Sequence, residues 1–179
     1  TVIEERTVGP DLGADAIKTG IYTGILGLAL VVSTMVILYG PWGLIANLAL
    51  AFNIALTFGA LSLLGATLTL PGIAAIVLGI GLAVDANILI NERIREETRK
   101  GASAFKALDL GFSRAYSTII DANITSLIAT TLLFMFGSGP VRGFAVAMFL
   151  GIAISMFTAV AVVRVLMTKI VRRRGLKTL

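Results

Sequence analysis

The sequence contains no cysteine and no histidine in its 179 residues. These absences exclude disulfide bonds, metal sites that use either side chain as a ligand, and catalysis by a cysteine or a histidine. Charged residues make up only 14% of the chain, and no glycine-rich loop followed by lysine is present to hold a phosphate. The sequence therefore predicts a protein that is not an enzyme, holds no cofactor or metal, and does not bind nucleic acid.

Hydrophobic residues are abundant instead. They form 57% of the chain, and its mean hydropathy is +0.96. This composition excludes a soluble domain, and it predicts an integral membrane protein in contact with the lipid bilayer. About 20 apolar residues are needed to cross the hydrocarbon core, and five stretches are long enough. The expected fold is an all-α membrane protein, a bundle of five transmembrane helices at 17–39, 43–64, 71–91, 116–136 and 141–167.

The distribution of lysine and arginine predicts the orientation in the membrane. Most of the 15 basic residues fall in the long link after the third span or in the tail. Because basic residues favour the cytoplasmic side, we expect the N-terminus outside and the C-terminus in the cytoplasm. The residues concerned are Arg93, Arg95, Arg99, Lys100, Lys106, Arg114, Lys169, Arg172, Arg173, Arg174 and Lys177.

This topology divides the chain into three parts. Residues 1–16 form a periplasmic segment, residues 17–168 form the bundle with a cytoplasmic link at 92–115, and residues 169–179 form a basic cytoplasmic tail. The first residue is Thr1 rather than methionine, and no signal peptide precedes the first span. We therefore expect the sequence to be a segment of a longer chain.

The link at 92–115 contains two helical patterns. The first, NERIREETRKG, continues the third span as a charged helix in which Glu96 lies three residues before Arg99 and four before Lys100. The second begins at Ser103 and predicts an amphipathic helix on the inner membrane surface. A solvated charged linker is the alternative. The apolar residues of the second pattern are Ala104, Phe105, Leu108 and Phe112.

Small residues recur at every fourth position in four of the predicted spans. Such rows allow helix backbones to approach closely in lipid. They predict a tight bundle whose last span is buried, and they would also suit a partner helix from another chain. They indicate packing rather than chemistry. The rows are Ala16, Gly20 and Gly24; Ala51, Ala55 and Gly59; Ala75, Gly79 and Ala83; and Gly143, Ala147, Gly151, Ser155 and Ala159.

Asp85 lies inside the third predicted span, close to Asn87. An ionised aspartate in a lipid-facing helix costs about 2.5 to 3.5 kcal/mol, so we expect Asp85 to face the bundle interior. The protonation of a carboxylate depends on burial and on nearby cations, so small rearrangements could load or release a proton. Asp85 is therefore a candidate proton carrier. The alternative is a structural polar link between helices.

A second polar group follows in the fourth predicted span. The tripeptide Asp-Ala-Asn occurs at 85–87 and again at 121–123, and antiparallel spans would place both in the cytoplasmic half of the bilayer. Asp121, Asn123 and Arg164 are therefore candidates for a secondary polar cluster. Asp121 could instead stabilise a helix N-terminus. Arg164 could pair with a carboxylate, although snorkelling to the headgroups is favoured.

Three long stretches resemble the membrane part of SecD-type proteins in the SecD/SecF family, which is related to the RND transporters. LLGATLTLPGIAAIVLGIGLAVDANILINERIREE is similar to the fourth helix of that family, and ERTVGPDLGADAIKTG to the passage from its periplasmic domain into the second helix. STIIDANITSLIATTLLFMFGSGPVRGFAV is similar to the fifth helix and the turn into the sixth. The resemblance covers almost the whole chain and implies helices two to six of the family.

The resemblance also implies a function. With a SecF-like subunit, such a protein would associate with a SecYEG-type channel in the bacterial inner membrane. It would use the proton gradient to assist translocation and periplasmic release of preproteins, which its periplasmic domain would handle. The family's acidic proton-coupling position falls on Asp85, with Asn87 beside it. Two alternatives remain open: an RND-type proton-coupled exporter of hydrophobic small molecules or lipids, and a scaffold without transport activity.

Overall fold

The computed structural model describes residues 10–66 and 69–174. Within these residues the protein is helical, and five helices are long and apolar enough to cross a membrane, as predicted. The last of them is continuous but contains a π-helical turn at Thr158–Val163. The helices are α1 (Pro10–Tyr39), α2 (Pro41–Leu63), α3 (Leu70–Arg99), α4 (Ala104–Phe136), α5 (Pro140–Phe157) and, after the π-helical turn, α6 (Arg164–Arg174).

The helix starts follow the local sequence. α2 and α5 begin with Pro41 and Pro140, whose fixed φ suits the first turn and whose missing N–H is not needed there. The residue before each proline is a glycine in almost the same conformation, with φ 53° at Gly40 and 52° at Gly139. Only glycine adopts this region without strain. The same glycine–proline start therefore begins both helices, although one residue separates α1 from α2 and three separate α4 from α5.

Both helices flanking the predicted link are longer than their spans. α3 runs to Arg99 as a charged helix, and Lys100 Nζ donates to Glu96 Oε1 at 2.7 Å, as predicted. Glu96 pairs with Arg93 rather than with the predicted Arg99. The remaining connector consists of residues 100–103.

The predicted surface helix is not a separate element. Its residues form the first turns of α4, which starts at Ala104. Ala104, Leu108 and Phe112 are buried in one core cluster with Ile94 of α3. Phe105, which the amphipathic pattern placed with them, is exposed. The segment therefore packs against α3 as part of one long helix instead of forming a separate amphipathic helix.

α3 is the central helix, and it makes its most extensive contacts with α5 and α4. The predicted rows of small residues on α3 and in the last span lie in this interior. A Cβ added to Gly151 would be in ordinary contact with the Cα of Gly79, at 4.0 Å, so the two helices pack closely there. On α1, a Cβ at Gly20 would meet Ile73 at 3.4 Å. These rows allow the helices to approach closely.

The row on α2 differs from the prediction. Ala51, Ala55 and Gly59 are all exposed in the structure. The buried face of α2 instead includes Asn53 and Leu50. α2 carries small residues on more than one face, so the row by itself did not identify the face that packs.

Candidate functional site

Asp85 lies on the outer face of α3. It is exposed, and it forms no hydrogen bond or ion pair with any residue that the structure describes. Gly81 and Leu78 share this face, while Ala83 and Ala86 on either side of Asp85 are buried. The sequence placed Asp85 toward the bundle interior, and for the described residues that expectation is wrong. The carboxylate stands alone on an otherwise apolar surface.

Asp121 is also exposed, and it lies at the same depth as Asp85. α3 and α4 are antiparallel neighbours that meet where Gly111 contacts Ile94. Asp85 lies nine residues before Ile94 on α3. The residue nine positions after Gly111 on α4 is Ile120, which directly precedes Asp121. The two aspartates are therefore one helical rise apart in depth, about 1.5 Å.

The alternative that Asp121 stabilises a helix N-terminus is wrong. α4 begins at Ala104, so the unpaired N–H groups of its first turn lie about four turns or more away from Asp121. Asp121 is instead an exposed carboxylate in the middle of a helix, like Asp85.

The asparagines of the two Asp-Ala-Asn tripeptides behave alike. Asn87 Nδ2 donates to the carbonyl oxygen of Ala83 at 3.2 Å, and Asn123 Nδ2 donates to that of Ile119 at 2.7 Å. Asn87 is buried and Asn123 is partly buried. Each tripeptide therefore directs its asparagine toward the bundle and its aspartate away from it. No hydrogen bond joins the two tripeptides within residues 10–66 and 69–174.

Arg164 does not join Asp121. Its Nη2 donates to Asp109 Oδ1 at 3.0 Å, with both side chains more than half exposed. The guanidinium also lies 6.0 Å from the ring centroid of Phe112. The sequence favoured snorkelling, but the extension of α4 to Ala104 brings Asp109 alongside α6. Pairing with a carboxylate is therefore what the structure shows.

Several buried polar side chains besides Asn87 were not identified from the sequence. The amide nitrogens of Asn53 and Asn91, the hydroxyl of Thr57 and the amide oxygen of Asn87 have no hydrogen-bond partner among the described residues. Asn53 and Thr57, like Asn87 and Asn91, are four residues apart, and this spacing within apolar spans could have revealed them. The buried polar and charged residues are Asn53, Thr57, Asn87, Asn91, Glu97, Thr130, Ser155 and Thr158.

The π-helical turn adds to this polar interior. Thr158 is 2% exposed, and its hydroxyl donates to the carbonyl oxygens of Ile154 at 3.0 Å and Ser155 at 3.2 Å. Hydroxyls that bond back along a helix in this way bend it, and π-helical turns are frequent at functional sites. The turn packs against α2 and α3. The last span therefore departs from regular geometry beside the buried polar groups.

This arrangement places two carboxylates on a surface that cannot face lipid without cost. Each would cost about 2.5 to 3.5 kcal/mol at the centre of a lipid-exposed helix. Protonation, water or a polar group of another subunit would remove that cost. The geometry therefore suits a group that gains and loses a proton, or one that is covered by a partner.

A model of the family described as protein export membrane protein SecD/SecF, C-terminal, matches residues 1–173. The chain belongs to this family. It is 54% identical over 178 residues to the protein translocase subunit SecD of Magnetococcus marinus, covering 99% of this chain and 34% of that protein. The SecD subunit of Rhodobacter capsulatus is 52% identical over 93% of this chain and 30% of its own length. The resemblance stated from the sequence is confirmed.

Solved structures agree with this assignment. The crystal structure of SecDF, a translocon-associated membrane protein from Thermus thermophilus, matches with a TM-score of 0.92 and 43% identity. The match covers 97% of this chain and 24% of that one. A structure of SecDF in a super-membrane-facing form matches with a TM-score of 0.86 and 44% identity, over 97% of this chain and 24% of that one. The predicted five-helix fold is confirmed, and the chain spans about a third of the length of the curated relatives it matches.

Proposed function

We propose that this chain is a membrane part of a SecD subunit that uses the proton gradient to assist preprotein translocation and release on the periplasmic side. Its partners would be a SecF-like subunit, a SecYEG-type channel and the translocating preprotein. The observation that carries the proposal is Asp85, an unpaired carboxylate within an apolar span of a chain from this family. A multi-pass membrane location is supported by the five helices, and the inner membrane by the proposed function.

The exposed position of Asp85 fits a site that is completed by another subunit. Asp85 and Asp121 lie at one depth on the unpaired surfaces of neighbouring helices. A SecF-like bundle that covers them would exclude lipid and supply the groups that exchange protons. Asn87 would act as a positioning residue, because its bond to the carbonyl of Ala83 anchors the same turn of α3. The names of the relatives do not favour the alternative of an RND-type exporter of hydrophobic molecules.

The proton gradient supplies enough energy for this role. One elementary charge crossing about 100 mV releases about 2.3 kcal/mol. That free energy shifts a two-state equilibrium about fifty-fold. A single carboxylate that binds a proton from one side of the membrane and releases it to the other can therefore bias a conformational change of the subunit.

The test replaces Asp85 with asparagine in the full-length protein. Asp85→Asn keeps the size and hydrogen bonding of the side chain but cannot cycle a proton, so we expect folding and partner binding to persist while gradient-dependent stimulation of export is lost. Export into membrane vesicles, measured with and without the gradient, and co-purification of the partner give the two readouts. Asp121→Asn should also reduce the stimulation, because Asp121 does not serve a helix start.

Asp109→Asn is the matched control. Asp109 is an exposed aspartate that pairs with Arg164 near the start of α4, away from the depth of Asp85. Its replacement should leave the stimulation unchanged. Export by Asp85→Asn at the wild-type rate with the gradient intact would overturn the proposed proton-carrier role.

A further inference from the structure

A cavity of about 370 Å³ opens at the basic end of the bundle. It lies between the end of α1, the start of α2, the last turns of α3, the start of α4 and α6. Its inner wall is apolar, formed by Ile94, Leu108 and Met167, which are all buried. Tyr39 and Trp42, which belong to the hairpin that joins α1 and α2, also line the cavity. The volume is at the lower end of the range for small-ligand sites, about 300 to 1,000 Å³.

Two arginines one helical turn apart also line this cavity. Arg95 and Arg99 project from the last turns of α3, and no acidic residue in the described part of the chain is found in the lining. Arg95 forms one ion pair, with Nη1 at 3.6 Å from Glu92 Oε1, and Glu92 also lies close to the hydroxyl of Tyr39. Arg99 has no carboxylate partner among the residues that the structure describes. The cavity therefore carries positive charge that is available to an anion.

The neighbouring cations Arg93, Lys100 and Arg114 share the carboxylates of Glu96 and Glu97. Lys100 contacts the carboxylates of both Glu96, at 2.7 Å, and Glu97, at 3.0 Å. The hydrogen bond to Glu96, and to a smaller extent the one to Glu97, raises the pKa of Lys100. Arg93 pairs with Glu96 at 2.9 Å. Arg99, which lines the cavity, is thus left without a carboxylate partner among the described residues, whereas Arg93, Arg95 and Lys100 each have one.

Asn91 gives a second, independent indication of a ligand. It lies in the cavity wall one turn before Arg95 and is 5% exposed. Its amide nitrogen has no acceptor among the described residues. A buried donor without an acceptor destabilises the folded protein. A ligand oxygen that reaches this depth would remove that cost.

We propose that the cavity binds the headgroup of an acidic phospholipid. The phosphate would accept hydrogen bonds from the guanidinium groups of Arg95 and Arg99, and a headgroup or ester oxygen would accept from Asn91. The first methylene groups of the lipid would lie on Leu108 and Met167, with the rest of the chains in the bilayer. Tyr39 and Trp42 are residue types that favour the headgroup level of a membrane. The combination of paired arginines, aromatic rings and an apolar wall fits an anionic amphiphile better than a free ion.

The proposal is tested with the full-length protein in detergent, after removal of endogenous lipid. Native mass spectrometry would count bound phosphatidylglycerol and compare it with phosphatidylcholine, and inorganic phosphate would be added as a competitor. We expect the protein to retain phosphatidylglycerol in preference to phosphatidylcholine. Arg95→Gln with Arg99→Gln should weaken this binding about 30-fold, since each arginine near a charged headgroup contributes about fivefold.

Lys106→Gln is the matched control, because Lys106 is an exposed cation on the adjacent α4 that does not line the cavity. It should leave lipid binding unchanged. An equal loss with Lys106→Gln would mean attraction by overall charge and would overturn the proposal. Complete displacement by millimolar phosphate would also overturn it, because the occupant would then be a free anion.

If the double variant fails to fold, photolabelling of the unchanged protein provides the test. A phosphatidylglycerol analogue with a photoreactive group next to its headgroup should label the peptide that contains Trp42 or that of Asn91. Labelling confined to other surfaces would overturn the proposal. If a co-purified protein segment occupied the cavity instead, cross-linked peptides from that protein would replace the lipid adducts and contradict the proposal.

Discussion

At the scale of single residues, close helix packing depends on glycines that have no room for a side chain. A Cβ at Gly111 would lie 2.5 Å from the Cγ1 of Ile94 and 2.8 Å from its backbone nitrogen. Backbone atoms cannot move aside as a flexible side chain can. Gly111 therefore fixes the distance between α3 and α4 at the basic end of the bundle.

We expect Gly111→Ala to destabilise the protein by about 1 to 3 kcal/mol, the usual cost of overpacking a core. Gly59→Ala is the control, since nothing lies within 4 Å of a Cβ at that exposed position. That change should be neutral or stabilise by up to about 1 kcal/mol through helix propensity. Thermal unfolding of both variants in the same detergent measures the difference. Equal unfolding temperatures would show that α4 can shift away from α3 at little cost.

At the scale of elements, α3 and α4 are held together outside the predicted spans by an ion-pair group. Glu97 is 4% exposed, and its carboxylate accepts hydrogen bonds from Arg114 of α4 and from Lys100. The two cations are about half exposed, and the acid is buried between them. This group joins the end of one helix to the beginning of the next.

Glu97→Gln should loosen this hairpin. Hydrogen bonds to a charged group contribute about 1.5 to 3 kcal/mol, and the amide would leave Arg114 without its counter-charge. We expect faster amide hydrogen exchange at 95–112 and little change near Gly139. Glu92→Gln, at an exposed acid on the same helix, is the control. Unchanged exchange in the Glu97 variant would mean that apolar packing alone holds the hairpin.

The sequence predicted the elements well and their contacts less well. Hydropathy identified all five spans because lipid requires long apolar helices, but it placed the fourth near Tyr116, whereas α4 starts at Ala104. The extra turns form because Leu108 packs against α3, a long-range contact that hydropathy does not contain. The π-helical turn at Thr158–Val163 leaves no mark in apolar periodicity, so it was not predicted.

The candidate site, too, could be predicted only in part. Asp85 was identifiable because a carboxylate within an apolar span is conspicuous. The direction in which its side chain points could not be predicted, because another subunit can shield a carboxylate from lipid as well as this bundle can. The pairing of Arg164 with Asp109 depended on the true start of α4 and could not be deduced from the predicted spans.

At the scale of the whole molecule, the arrangement of charges predicts its orientation in the membrane. The connector at 100–103 and the end of α6 lie at the end of the bundle where the basic residues are concentrated. We expect reporter fusions after Gly101 and after Leu179 both to indicate the cytoplasm, because basic segments are retained on that side. A fusion after Gly65, between α2 and α3, should indicate the periplasm. Any reversed reading would contradict the topology.

The near contact of Gly79 with Gly151 has a mechanical consequence. No side chain separates the two helices at this point, so a tilt of α3 against α5 would pivot there. Asp85 lies six residues along α3 from this point, a lever arm of about 9 Å, and Pro71 lies at a similar distance on the other side. A tilt that moves Asp85 outward would therefore move the opposite end of α3 the other way by a comparable distance.

Gly151→Ala should preserve this freedom, because its Cβ would be in ordinary contact 4.0 Å from Gly79. Gly151→Leu should block the rocking of α3 against α5 or push the two helices apart. A distance distribution between spin labels on Leu70 of α3 and Val141 of α5, both exposed, would report the rocking: broad in the wild type and the alanine variant, and narrowed or displaced with leucine. Were all three distributions identical, α3 and α5 would move as one rigid unit, and a proton taken up at Asp85 could not be converted into movement at the far side of the membrane by this route.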